Sequence, residues 1–191
     1  MSATGRDKDE LWIFGYGSLV WRPDFPHAEA VPAVSHGQVR RFWQASTDHR
    51  GTPARPGRVA TLAPEAGARC RGVAYRIGAD SRSGVIDYLD HREKNGYLKR
   101  TLAVELDDGR GCTAVTYVAD PAGEHFLGPA PLVEMAEQIR ASSGPSGPNT
   151  EYVLRLAEAL RALAAPAEEE VFALEELLRA AVPHPRAPSG S

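Results

Sequence analysis

Apolar and polar positions follow a strand-like pattern over the first two thirds of the chain and a helical spacing over the last third. Leu11, Trp12, Ile13 and Phe14 form the first apolar run, with the aromatic and β-branched content that suits a strand. Strand-like segments follow at Gly37–Ser46, Arg58–Ala63, Cys70–Ile77, Thr101–Leu106 and Cys112–Ala119. In the third of these, Val73, Tyr75 and Ile77 alternate with other residues at a period of two, as on one face of a sheet. Asp107-Asp108-Gly109 lies between two such runs and predicts a hairpin turn. A short helix is predicted near Ser81–Arg92, capped by Asp80 or Ser81, with Val85, Ile86 and Leu89 as its apolar face.

Beyond Pro131 the pattern becomes helical. Leu132, Met135, Ala136 and Ile139 share a face over Pro131–Ala141. Asn149 reads as the cap of a helix running to about Leu163, with Val153, Leu156, Leu160 and Leu163 at helical spacing. Pro166 opens a last helix whose apolar face holds Val171, Leu174, Leu178 and Val182. Residues 1–10 and 183–191 are polar and read as flexible tails. The organisation is a mostly β front part wrapped by a helical back part, in one domain spanning 11–182.

Composition narrows the function classes. A chain of 191 residues can bury a full core without staples, and its 42% hydrophobic and 25% charged residues are ordinary for a globular protein. The net charge of −3 argues against nucleic acid or anionic membrane as a partner. No apolar run reaches the roughly 18–20 residues of a membrane span, and the N-terminal stretch lacks the apolar segment of a secretory signal, so the expected compartment is the cytoplasm. Cys70 and Cys112 lie far apart in strand-like segments and read as small core residues. The six histidines show no metal-ligand spacing, so no metal site is expected.

Four stretches can carry chemistry. The first strand ends in Gly15-Tyr16-Gly17-Ser18-Leu19, a glycine turn whose amides can face a carboxylate or an oxyanion, or which can simply be a turn. It lacks the third glycine of a dinucleotide loop, and Ser18 is not in a Gly-x-Ser-x-Gly elbow. Asp90-His91-Arg92-Glu93-Lys94-Asn95-Gly96-Tyr97 closes the first helix. If the helix continues to Lys94, Asp90 and Glu93 share a face, and the cluster is either a solvated helix end with Gly96 as its C-terminal glycine, or a carboxylate aimed into a pocket. Asp48-His49-Arg50-Gly51-Thr52-Pro53 with Pro56-Gly57-Arg58 is a loop whose Arg50 and Arg58 can grip a carboxylate, or a basic surface turn. A fourth stretch, Ser143–Asn149 with Glu151-Tyr152 behind it, leads small residues into a helix N-terminus, where Tyr152 can reach a ligand; taken alone, it reads first as a linker between helices with a capping Asn.

Taken in order, these segments resemble the ChaC-type γ-glutamylcyclotransferases. The resemblance is carried by Leu11–Trp21, Arg41-Phe42-Trp43-Gln44, Asp48–Pro53, Pro56-Gly57-Arg58-Val59, Asp90-x-Arg92-Glu93-Lys94-x-Gly96-Tyr97, Leu127–Pro131 and Gly144–Tyr152. It departs from the family at Gly123-Glu124-His125-Phe126, where the family carries Asn-x-x-Tyr. The resemblance implies an α+β γ-glutamylcyclotransferase fold, a small mixed β-barrel with packed helices and a helical C-terminal part. It implies a lyase that cleaves reduced glutathione to 5-oxoproline and cysteinylglycine without metal or cofactor. It also implies Glu93 as the catalytic acid/base and a substrate site at Ile13, Phe14, Gly15, Tyr16, Gly17, Ser18 and Leu19, with Arg50, Tyr97 and Tyr152 as further contacts. A helpful geometry would have Arg92 turned away from Glu93 or paired with Asp90, leaving burial free to raise the Glu93 carboxyl.

Overall fold

Five strands close into a barrel: β1 (Leu11–Gly15), β2 (Glu29–Ser46), β3 (Gly57–Ile77), β4 (Tyr97–Leu106) and β5 (Gly111–Ala119), in the spatial order β1-β3-β2-β4-β5. The computed structural model describes residues 10–165 and 168–180. All neighbours are antiparallel except β1 and β5, whose parallel pairing (Ile13 beside Val115) closes the barrel. Among the described residues four α-helices follow the strands or interrupt them: α1 (Arg82–Arg92), α2 (Leu132–Ala141), α3 (Asn149–Ala162) and α4 (Glu169–Ala180).

The strand-like segments Arg58–Ala63 and Cys70–Ile77 are one continuous strand, β3. The stretch between them is polar, mostly exposed and rich in turn formers; Pro64 and Arg69 pair with Gln38 and His36 of β2, and residues 65–68 between them make an excursion opposite Gly37, turned by Gly67 at φ +78°. β2 begins at Glu29 and not at Gly37. Pro32 hides the early part, since it offers no N–H to a ladder. Gly37, with φ +71°, marks the bulge at which the register shifts. The predicted Asp107-Asp108-Gly109 hairpin joins β4 to β5, with the Gly109 N–H donating to Leu106 C=O at 2.9 Å.

Alternation along β1 divides the core. Trp12, Phe14 and Tyr16 point to one hydrophobic cluster, which includes Leu156, Leu160, Leu174 and Leu178 of α3 and α4. Ile13 points to a second, made with Tyr75, Ile77 and the α1 residues Val85 and Leu89. Cys70 is buried in the first cluster, and Cys112 is half-buried beside it.

Among the described residues the helix faces match the predicted ones with two corrections. Leu132 is 37% exposed, because α2 begins with its first turn outside the core. Asn149 does not cap α3. It is the first residue of that helix, wholly buried, and its side-chain amide accepts from the Arg58 N–H (2.6 Å) and donates to the Arg58 C=O (2.8 Å). Pro166 and Val182 lie outside the described residues, as do positions 1–9 and 183–191 of the predicted tails. α4 begins at Glu169.

Candidate active site

β1 runs directly into the glycine turn. Gly17 leads a single 3-10 turn, Ser18–Val20, whose first bond is from the Val20 N–H to the Gly17 C=O at 3.0 Å. The amides of Gly17, Ser18 and Leu19 precede that bond and have no partner within the turn. Leu19 folds back over Gly15, where a Cβ would stand 2.6 Å from the leucine Cβ, and Gly17 sits beside the Tyr152 hydroxyl.

Across from this turn is the end of α1. The helix stops at Arg92, and Glu93 is its C-cap, with its N–H bonded to the Leu89 C=O at 2.9 Å. Three changes to the expected cluster follow. Asp90 and Glu93 do not converge: Asp90 binds Lys99 (2.6 Å) and accepts from the Tyr117 hydroxyl (2.6 Å) on the outer side, and these donors hold its carboxyl below the usual range. Gly96 is not the C-terminal glycine of the helix, since two residues separate it from the C-cap. Arg92 neither turns away nor pairs with Asp90. Its Nε lies 3.2 Å from the Glu93 carboxylate, and its Nη2 donates to Ser18 Oγ at 2.7 Å. One guanidinium therefore ties the glycine turn to the carboxylate.

Glu93 lines two adjoining cavities. The outer one is about 370 Å³ and open to solvent, large enough for a small peptide. Its walls include Ser18, Trp21, Asp48, His49, Arg50, His91, Arg92, Tyr97 and Tyr152. The inner one is about 60 Å³ and lies toward the barrel interior, walled by Phe14, Tyr16, Gly17, Ser18, Leu19, Tyr97 and Tyr152. Only 19% of the Glu93 side-chain surface is exposed. Burial pushes its carboxyl above the ordinary range; Arg92 opposes the rise and the Asp48 carboxylate adds to it.

Tyr16, Tyr97 and Tyr152 surround this carboxyl, and each is held from behind. The Tyr16 hydroxyl donates to the Tyr117 C=O at 2.5 Å. The Tyr97 hydroxyl donates to the Ala60 C=O, and the Tyr152 hydroxyl accepts from the Ala60 N–H, both at 3.2 Å. The same β3 residue, Ala60, thus sets two rings through its two flanking peptide units, and the Asn149 bracket on Arg58 brings α3 to that place. Burial raises all three phenols, Tyr152 to about 12, so they stay neutral hydrogen-bonding groups at working pH.

Of the residues expected to form the site, Phe14, Tyr16, Gly17, Ser18, Leu19, Arg50, Glu93, Tyr97 and Tyr152 line a cavity. Ile13 and Gly15 do not. Ile13 points outward to α1 by strand alternation, and Leu19 covers Gly15. Arg50 faces the outer cavity. It is braced by the Pro148 C=O (3.2 Å) and the Glu151 carboxylate (3.3 Å), and lies 5.9 Å from the Tyr152 ring centre. Arg58 turns the other way, donating to Gln138, the Phe42 C=O and the Gly128 C=O; it is a buried strut and no ligand clamp.

Sequence reasoning missed Trp21, Asn95 and His91 as wall residues. Asn95 donates to Asp48 at 2.5 Å and its C=O accepts from Gln44 at 3.2 Å, which fixes the loop behind Glu93. His125, in the segment that departs from the family, packs its side chain against Gly96, and its C=O accepts from the Ala45 N–H at 2.8 Å. Among the described residues no three His, Cys, Asp or Glu side chains gather as metal ligands would, and no helix is long and apolar enough to cross a membrane.

Known proteins share this arrangement of elements and motifs. The model of the family described as ChaC-like protein matches residues 11–181. The chain is 42% identical over 171 residues to the human protein named glutathione-specific gamma-glutamylcyclotransferase 1, covering 87% of this chain and 77% of that one. It is 43% identical to gamma-glutamylcyclotransferase 2-3 of Arabidopsis thaliana, covering 80% of this chain and 81% of that one. The crystal structure of a γ-glutamyl cyclotransferase specific to glutathione from yeast superposes with a TM-score of 0.81 at 32% identity, over 90% of this chain and 99% of that chain.

Proposed function

The chain belongs to the ChaC-like protein family, and we propose that it is a γ-glutamylcyclotransferase that converts reduced glutathione to 5-oxoproline and cysteinylglycine. The observation that carries this reading is the position of Glu93. A largely buried carboxyl of raised pKa stands between a glycine turn and three phenols, at the junction of two cavities.

The chemistry needs little more than this. The α-amino nitrogen of the glutamyl group attacks its own γ-carbonyl, so the nucleophile arrives tethered. Holding such a pair in an attacking pose is worth an effective molarity on the order of 10⁵ M or more. Glu93 takes a proton from the α-ammonium group and later returns it to the departing cysteinyl nitrogen. Its raised carboxyl is a better base than an ordinary glutamate, and Arg92 keeps it from being locked in the neutral form. The γ-carbonyl oxygen becomes an oxyanion as the ring closes, and the amides of Gly17 to Leu19 are the donors placed to meet it. Tyr16, Tyr97 and Tyr152 wall the glutamyl chain into a curled pose and keep water from the γ-carbon. The outer cavity takes the cysteinylglycine part, with Arg50 as the cation for its terminal carboxylate. Such an enzyme acts in the cytoplasm, where glutathione keeps thiols reduced.

Product analysis by mass spectrometry tests the proposal. Glutathione, γ-glutamylalanine and γ-glutamyl-lysine are supplied in parallel. The expected products are 5-oxoproline and cysteinylglycine from glutathione alone. Preferred turnover of γ-glutamylalanine or γ-glutamyl-lysine would make it a cyclotransferase of other γ-glutamyl compounds. Free glutamate would make it an amide hydrolase, and ligand binding without product would make it a binding module.

A further inference from the structure

Arg40 lies in β2, outside both cavities, and its side chain is completely buried. A lone guanidinium in a core is unfavourable unless each face is satisfied. Here the partners are two carbonyls and one carboxylate, and one of the carbonyls belongs to Tyr16, just ahead of Gly17. Nε donates to the Tyr16 C=O at 2.7 Å, Nη2 donates to the Arg71 C=O, and Nη1 is ion-paired with Glu168, the residue just ahead of α4. Tyr16 is thus anchored at both ends, its carbonyl by Arg40 and its hydroxyl by the Tyr117 C=O.

The carbonyl of Tyr16 and the N–H of Gly17 belong to one peptide unit. There is no cis peptide among the described residues, so that unit is trans and its N–H points opposite to its C=O. Fixing the carbonyl toward Arg40 fixes the Gly17 N–H away from it. Gly17 and Glu93 both wall the inner cavity. A glycine there has no side chain to hold its own peptide plane, so an external anchor is needed.

We propose that Arg40 is a positioning residue, which sets the Tyr16–Gly17 peptide plane so that the Gly17 amide faces the reacting carbonyl, with Glu168 serving to hold the Arg40 charge in the core. The inference rests on the cyclotransferase reading. It separates two roles within one ion pair. Arg40 acts on the rate, while Glu168 acts on stability.

Two variants test the separation. Arg40→Met combined with Glu168→Leu removes both charges together, so no unpaired ion is left in the core. Glu168→Gln keeps Arg40 and a neutral acceptor for it. Melting temperature, kcat and KM for glutathione are measured for both, with kinetics taken well below the melting point. The double variant should lose about 100-fold in kcat, the scale of one lost oxyanion donor, with KM within about threefold of wild type. Glu168→Gln should melt earlier and keep its kcat. A folded double variant with wild-type kcat overturns the inference, as does a Glu168→Gln protein whose kcat falls by a similar factor. If the double variant does not fold, Arg40→Lys takes its place, since it keeps the charge beside Glu168 but loses the guanidinium fork: a folded lysine variant should lose kcat in the same direction, and one with wild-type kcat overturns the inference. A wild-type protein that makes no 5-oxoproline would instead overturn the cyclotransferase reading itself.

Discussion

Replacing Gly96 with alanine should uncouple the loop that carries Glu93, and its effect can be divided into two parts. Gly96 has φ +87°, a conformation that side chains rarely adopt. Placing an L-residue there costs about 1–3 kcal/mol in backbone strain. The new Cβ would also stand 2.8 Å from Gln44 Nε2 and 3.0 Å from the His125 Cβ. Overpacking of that kind adds about 1–3 kcal/mol. Gly109 supplies the control: its φ is +85°, but nothing lies within 4 Å of the position of its Cβ. Gly109→Ala should therefore show the strain alone. Urea denaturation should find Gly96→Ala destabilised by about 4 kcal/mol and Gly109→Ala by about 2 kcal/mol, taking the middle of each range. Activity should divide them further. Gln44 is the donor to the Asn95 C=O, and Asn95 in turn holds Asp48, so displacing Gln44 frees the segment behind Glu93. A catalytic group moved by about 1 Å can cost on the order of 100-fold, and Gly96→Ala should lose at least about tenfold in kcat while Gly109→Ala loses none. Equal destabilisation of the two variants, to within about 0.5 kcal/mol, together with normal kcat in both, would refute the reasoning.

Other perturbations probe separate parts of the account. Because burial raises the Glu93 carboxyl in the folded state, its contribution to stability is fully present below its ordinary value of 4.5 and is lost as pH rises through the raised value. Glu93→Gln escapes that loss, so its melting temperature should exceed wild type at about pH 8 and match it near pH 4.5; a variant less stable at the higher pH would contradict this. Arg92→Met removes the cation that opposes the rise, so the acid limb of the kcat/KM profile should move to higher pH, and a shift to lower pH would count against Glu93 as the base. Arg58→Met strands the Phe42 and Gly128 carbonyls and Gln138, and should destabilise by about 2–5 kcal/mol while leaving KM for glutathione unchanged. A raised KM with normal stability would return Arg58 to the binding site.

Much of this architecture was legible as pattern. The period of two in Val73, Tyr75 and Ile77 and the helical spacing of Val153, Leu156 and Leu160 both report a face that is buried in the fold. The parallel pairing of β1 with β5 joins residues about a hundred positions apart, and no local pattern encodes it. The polar excursion in the middle of β3 looked like the end of one strand and the start of another, and pairing with β2 does lapse over residues 65–68 before it resumes at Arg69. In the site, the resemblance located Glu93 and the glycine turn, but strand alternation removes Ile13, and Leu19 covers Gly15. Arginines were the hardest to read. Arg40, Arg50, Arg58 and Arg92 have the same composition signal and four different roles, since direction of the side chain depends on which carbonyls and carboxylates the fold leaves without partners. Asn149 looked like a cap because its residue type and position suit one, yet the main chain of Arg58 lay closer and took both ends of its amide.

The central claim is that a single carboxyl moves the proton in this reaction. Glu93→Gln protein, shown by calorimetry to bind glutathione and by circular dichroism to be folded, should release no 5-oxoproline above background when its products are read by mass spectrometry. Release at a rate near wild type would contradict the account.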